Sequence, residues 1–242
     1  MKINAAGKTY RELNAAIEAC GDGKAEIIAC CGQRYIADGL SGKKIHISGT
    51  PGNALGAYMD SGEIFVHGDV QDAVGDTMND GHIYVDGMAG DAAGYAMRGG
   101  EIYIRGDVGY RAGIHMKAYG QKYPVMIIGG RAGSFLGEYQ AGGTIVVLGL
   151  NEEKRPPVGY FCGAGMHGGA IYLRTERLPE DLSERIIANE VSRKDMWEIM
   201  PKLEHFCQVF DEDMGKILKK PFYRLTPDSA NPYKQLYVAN YQ

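Results

Sequence analysis

The sequence predicts a mainly β chain. The expected fold is a parallel β-helix of about seven coils, led in by a short α/β unit and followed by C-terminal helices. Three observations predict it. One pattern recurs about every 19 residues between Gly42 and Arg174, with coils opening at Gly42, Gly62, Gly81, Gly100, Pro124 and Gly143 and a last strand at Gly169. A fixed period near 20 residues marks a solenoid whose units stack only on their neighbours. Glycine is also abundant, with 35 residues, about twice ordinary usage. Finally, small, apolar and methionine positions recur at fixed offsets inside each unit. These readings divide the chain into residues 1–39, 40–175 and 176–242.

The lead-in comes first. Lys2 to Ala5 reads as a short strand. Thr9 and Glu12 have capping-box spacing, which opens a helix running to about Cys20, and Gly21-Asp22-Gly23 ends it. Ala25 to Cys31 reads as a strand feeding the first coil, which makes Cys30 and Cys31 consecutive strand residues.

Each coil then carries one apolar strand. Alternation places Ile45/Ile47, Ile64/Val66, Ile83/Val85, Ile102/Ile104, Met126/Ile128, Ile145/Val147 and Ile171/Leu173 on one inward face, stacked at about 4.8 Å. The middle positions run His46, Phe65, Tyr84, Tyr103, Ile127, Val146 and Tyr172. Left bare, that outward stripe is an apolar patch of the kind that marks an interface; the chain's own terminal helices are expected to cover it. In the next column His67, Asp86 and Arg105 stand one above the other, as a solvated ion-pair ladder.

The glycines follow each strand with G-x-x-G-x-x-x-G spacing, as in Gly49/Gly52/Gly56 and Gly130/Gly133/Gly137. They suit corners that need positive φ or close backbone approach. Three residues after the last glycine runs a column of Met59, Met78, Met97, Met116, Gln140 and Met166, expected as core filler. Gln71 and Gln140 break the glycine and methionine columns. The period and the clustered glycines argue against a left-handed hexapeptide helix. Gly-Asp recurs at 68–69, 75–76, 90–91 and 106–107, without the nonapeptide spacing of calcium-binding rolls. Lys117 to Tyr123 and Leu150 to Pro157 are insertions, expected to be surface contacts to another subunit.

After Arg174, Leu178 to Glu190 and Ser192 to Gln208 read as helices, the second broken or restarted at Pro201. A third runs from about Glu212 to Lys219. Pro221 stops it, and an extended tyrosine-bearing tail follows.

Composition narrows the function. The chain has 242 residues, 45% hydrophobic, with net charge −4, so nothing electrostatic favours nucleic acid. No apolar run approaches a membrane span, and Met1 to Tyr10 lacks a signal-peptide core. Five cysteines without CxxC spacing support neither zinc, iron–sulfur nor a disulfide framework; a reducing cytoplasm is the expected location. The six histidines (His46, His67, His82, His115, His167, His205) match no metal-ligand spacing. The fragment Gly163-Ala-Gly165-Met-His-Gly168 lacks the strand and helix context of a dinucleotide site. The chain is expected to hold no catalytic, cofactor-binding or metal-binding residues.

Gly49 to Tyr58 (GTPGNALGAY), Gly137 to Gly149 (GEYQAGGTIVVLG) and Cys162 to Tyr172 (CGAGMHGGAIY) closely resemble the GXGXG domain, the C-terminal right-handed β-helix of the glutamate synthase large subunit. Trp197 to Leu203 (WEIMPKL) is similar to the region after that β-helix. The resemblance covers roughly residues 40 to 210, and it implies that the β-helix is single-stranded and right-handed. Formylmethanofuran dehydrogenase shares the repeat in one of its subunits. In glutamate synthase one domain hydrolyses glutamine and passes ammonia through a tunnel to a domain with FMN and an iron–sulfur cluster, which makes glutamate from 2-oxoglutarate. The resemblance therefore implies a non-catalytic scaffold for nitrogen metabolism and glutamate biosynthesis, looking like a free-standing third part. It would hold a glutaminase-type amidotransferase subunit and an FMN-dependent synthase subunit in register. FMN and the cluster are expected on the partner, with room for a homo-oligomer. The alternatives are a scaffold in a formylmethanofuran dehydrogenase-like complex, and a stand-alone enzyme or ligand-binding β-helix protein.

Overall fold

The computed structural model describes residues 1–21, 23–151 and 155–228. It is mainly β. Eleven strands form one sheet: β1 (Lys2–Asn4), β2 (Lys24–Cys31), β3 (Lys43–Thr50), β4 (Gly62–His67), β5 (His82–Val85), β6 (Glu101–Ile104), β7 (Val125–Ile128), β8 (Ala141–Val147), β9 (Gly168–Arg174), β10 (Ile186–Glu190) and β11 (Phe222–Pro227). Three helices accompany them: α1 (Tyr10–Glu18), α2 (Arg193–Phe210) and α3 (Met214–Ile217). Strands β1 to β9 lie in chain order and pair in parallel; β11 and then β10 add antiparallel at the far edge.

The register follows from the repeat. Ile45, Ile64, Ile83, Ile102, Met126, Ile145 and Ile171 are successive partners across the sheet. All seven, and their companions two residues on, are buried in one core. Because side chains alternate, a slip of one residue would turn this entire set to the other face, so burial holds the register. A second parallel ladder joins Val70, Ala89, Val108, Ala132 and Val158. The methionines of the column are buried in the same core, and Gln140, which replaces one of them, is fully buried too.

Three of the Gly-Asp carboxylates, Asp69, Asp91 and Asp107, and with them Asp72 after Gln71, have a structural role. Asp69 Oδ1 accepts from the Met88 N–H (2.8 Å), and Asp107 Oδ1 from the Arg131 N–H (2.7 Å). In parallel, Asp72 accepts from the Asp91 N–H and Asp91 from the Tyr110 N–H. Each carboxylate thus satisfies a backbone donor of the following repeat, as side chains do at turns.

The lead-in forms as its sequence predicts: Thr9 caps α1 in a full capping box with Glu12, and β1 and β2 continue the sheet. Cys30 is buried and its neighbour Cys31 exposed, and all five cysteines are free thiols. Two expectations about the C-terminal part are corrected. Leu178 to Glu190 is not helical; its end is strand β10, paired from Ile186 to Glu190 with β11, because the sheet edge offers hydrogen bonds that outweigh a weak local helix preference. Helix α2 runs through Pro201 without ending. The tail beyond Asp228, together with Asp22 and Glu152 to Lys154 of the second insertion, lies outside the described residues. No helix among the described residues is long and apolar enough to cross a membrane.

Candidate functional site

The outward face of the sheet carries the densest chemistry. Helix α2 lies over it, burying Ile199, Leu203, Phe206 and Phe210 against Tyr84, Tyr103, Ile127, Val146 and Tyr172. The covering of this stripe by the chain's own helix is as the sequence predicts. Cover thins toward β3: Phe65 and His46 are only half-buried.

A charged rim borders the stripe at the strand starts. Lys44 Nζ meets Glu63 at 2.6 Å, and His82 Nε2 lies 3.9 Å from Glu101. Glu101 accepts hydrogen bonds from Lys202 of α2 and from the Tyr103 hydroxyl. Burial opposes ionisation of Glu101, yet these two donors outweigh it and hold the carboxyl below its ordinary range. Burial, reinforced by Glu101, pushes the Tyr103 phenol up. The Tyr84 hydroxyl and His205 Nε2 are hydrogen-bonded at 2.9 Å; burial lowers the imidazole and raises the phenol. The Glu101–Lys202 and Tyr84–His205 contacts each span more than 100 residues of sequence. Their sequence signal is limited to tyrosines on an outward column that need polar partners once covered.

A cavity of about 280 Å³ opens beside this rim. Its apolar floor includes Val125, Ile127, Val146 and Ile199, and Tyr123, Thr144, Glu198 and Lys202 give it polar walls. The insertion supplies Tyr123, whose hydroxyl lies 3.1 Å from Thr144 Oγ1. Tyr119 and Lys122 of the same insertion form a small antiparallel bridge.

The expected ladder of His67, Asp86 and Arg105 is corrected. Arg105 does bind Asp86 (3.0 Å), and also Glu212 beyond α2 (3.2 Å). His67 turns instead to His46, with Nε2 3.3 Å from His46 Nδ1, a neighbour one strand back that competes for its ring. Burial and His67 hold the His46 imidazole below its ordinary value. Of the remaining histidines, His115 stacks on Tyr139 (5.3 Å) and His167 Nδ1 lies 3.3 Å from the Gly165 carbonyl. At the turns Arg111 sits over Phe135 and Phe135 stacks on Phe161, each at 5.0 Å, with Phe161 exposed. Trp197, on the solvent side of α2, is 79% exposed.

Parallel strands returning at one register, turned by glycines and covered by a helix, define a structural repeat protein of the glycine-rich class. The chain belongs to the GXGXG motif family, whose model matches residues 20–228. It is similar to the uncharacterized protein MJ1350 of Methanocaldococcus jannaschii: 45% identical over 249 residues, covering 98% of this chain and 95% of that protein. Among solved structures it is similar to a chain in the X-ray crystal structure of the formyltransferase/hydrolase complex FhcABCD from Methylorubrum extorquens in complex with methylofuran. That match has a TM-score of 0.65 at 18% identity, covering 95% of this chain and 92% of that one; at such identity the likeness concerns the fold.

Proposed function

We propose that this chain is a non-catalytic scaffold subunit of a multi-subunit enzyme, with a glutamate synthase-type complex as the first reading. We read the sheet and its second ladder as the right-handed β-helix of about seven coils expected from the sequence, with the parts 1–39, 40–175 and 176–242 as lead-in, stack and cap. The observation that carries the first reading is the ordered run of three segments, Gly49 to Tyr58, Gly137 to Gly149 and Cys162 to Tyr172, that resemble the glutamate synthase domain. A stiff stack of in-register strands suits such a role, because ammonia can pass between two active centres only if they are held in fixed geometry. In this reading a glutaminase subunit and an FMN-dependent synthase subunit dock on it in the cytoplasm, and FMN and the iron–sulfur cluster sit on the synthase partner. The exposed Trp197 and the Arg111–Phe135–Phe161 row offer the rigid aromatic anchors that interfaces favour.

The fold likeness to a chain of FhcABCD favours a second reading, a scaffold in a formylmethanofuran dehydrogenase-like complex, and it stands level with the first. A tagged copy purified from its own organism separates them. Glutaminase and flavin chains in the eluate, with glutamine-dependent glutamate formation, support the first. Subunits of formyl-transfer enzymes support the second. Recovery of the chain alone, with turnover of its own, overturns the scaffold reading in favour of an independent enzyme or binding protein.

A further inference from the structure

His46 and His67 stand diagonally on adjacent strands: His46 is opposite Phe65, and Ser48 is opposite His67. Their facing nitrogens, Nδ1 of His46 and Nε2 of His67, are 3.3 Å apart. As a hydrogen bond that is long, beyond the roughly 2.7–3.2 Å of N–H···O bonds. As a bite it fits: two imidazoles bound to one tetrahedral ion at about 2.0–2.1 Å each have nitrogens roughly 3.3 Å apart. The rings are held in place rather than free. His46 stacks on Phe65 (5.1 Å), Phe65 on Tyr84 (4.2 Å), and His67 on His46 (5.5 Å). The pair is also open to solvent, at the end of the stripe that α2 leaves thinly covered.

We propose that His46 and His67 chelate one divalent transition-metal ion of the zinc, nickel and copper class. Imidazole nitrogens suit these ions, whereas magnesium and calcium favour oxygen donors. Carboxylates are near but engaged, Glu63 by Lys44 and Glu26 by Lys2. Among the described residues no group of three or more His, Cys, Asp and Glu side chains is arranged to hold a metal. The chain thus supplies two ligands, and the remaining positions fall to water or to a donor from a docked partner. This site does not depend on which complex the chain serves.

The test uses the full chain without a histidine tag, titrated calorimetrically at neutral pH with copper, nickel and zinc chlorides. One ion per chain is expected, with copper tightest by the general order of divalent affinities. Paramagnetic resonance of the copper form should show two imidazole nitrogens. His46→Ala and His67→Ala should each weaken binding by about tenfold or more, since each removes half of a chelate. His82→Ala, an imidazole outside the pair, should leave it unchanged. His67 is exposed, so its variant should keep the circular dichroism and unfolding transition of the parent. Absence of binding, a single-nitrogen spectrum, or full affinity in either pair variant overturns the proposal.

Discussion

Gly163 packs directly beneath Ile186: a Cβ added to the glycine would lie 3.2 Å from the Ile186 Cδ1. Gly137 stands to Ile171 in the same way, at 2.7 Å, and Gly56 to Ile83. The last glycine of each repeat is therefore the floor for an isoleucine or methionine of a later strand. Ile186, from β10 outside the repeat, takes that place at the final position. The stack ends because a strand of different origin fills the site a further repeat would occupy.

This relationship ranks the glycines. At Gly163, with φ +71, an alanine would strain the backbone but meet only side-chain atoms, the Ile186 Cδ1 and the Met166 Sδ, each at 3.2 Å. At Gly49, with φ +114, the new methyl would overlap the Cys30 carbonyl of the preceding strand. Gly163→Ala should cost about 1–2 kcal/mol for the left-handed backbone. Gly49→Ala should cost more, because the backbone of two strands must part. Urea unfolding of both variants checks this; equal midpoints would contradict the close approach at Gly49.

The inward faces were legible because the repeat encodes them locally: Ile83 and Val85 alternate within one strand, and their stacking partners sit at fixed offsets. The cover over Tyr84 and Tyr103 was legible as a need, since a bare aromatic stripe is unfavourable. Which residues meet it was not. His205 reaches Tyr84 only because α2 crosses at one angle, and no local pattern encodes that angle. Leu178 to Glu190 misled because its charged, leucine- and isoleucine-bearing composition suits a helix in isolation. As part of β10, Ile186 packs against the core while its strand pairs with β11, and that pairing outweighs a marginal helix. His67 stood in the expected column, but a column does not specify which neighbour a ring turns to.

The core itself can be broken at one side chain. Ile83 and Ile102 are fully buried and in register with one another. Ile102→Asp would place an unpaired carboxylate in an apolar stack, at a cost of several kcal/mol. Domains of this kind hold about 5–15 kcal/mol in total. The variant should lose its cooperative thermal transition in calorimetry. A melting temperature equal to that of the parent would show that Ile102 does not face the core.

The Asp ladder should show its value without any added ion. Asp107 Oδ1 accepts from both the Arg131 N–H and the Asn151 side chain (2.9 Å). Asp107→Ala leaves a half-buried backbone donor unpaired, at about 1–3 kcal/mol. Asp107→Asn, which keeps the acceptor, should recover most of that loss in the same urea titration. If both variants unfold together, the carboxylate is not acting as the backbone acceptor.

The Glu101–Lys202 contact ties α2 to the sheet, and its contribution should depend on pH with a definite sign. The folded state holds Glu101 below its ordinary value despite burial, so the unfolded state binds protons more readily. Stability from this group is then fully present above the ordinary carboxylate range and is lost as pH falls through the depressed folded value. Lys202→Met removes the stronger donor and leaves a carboxylate with 18% side-chain exposure facing Tyr103 and His82. Lys202 is itself 34% exposed, so solvent screening holds the loss at neutral pH to about 1 kcal/mol. That deficit should shrink as pH falls through the parent's folded value and Glu101 takes up its proton in both proteins, since a neutral carboxyl gains little from the ammonium. Glu101→Gln should remove the sensitivity to Lys202 altogether, a coupling that a double-mutant cycle of unfolding free energies reads directly. A deficit that stays constant from neutral to acidic pH would assign Lys202 a packing role through its alkyl stem and not an electrostatic one.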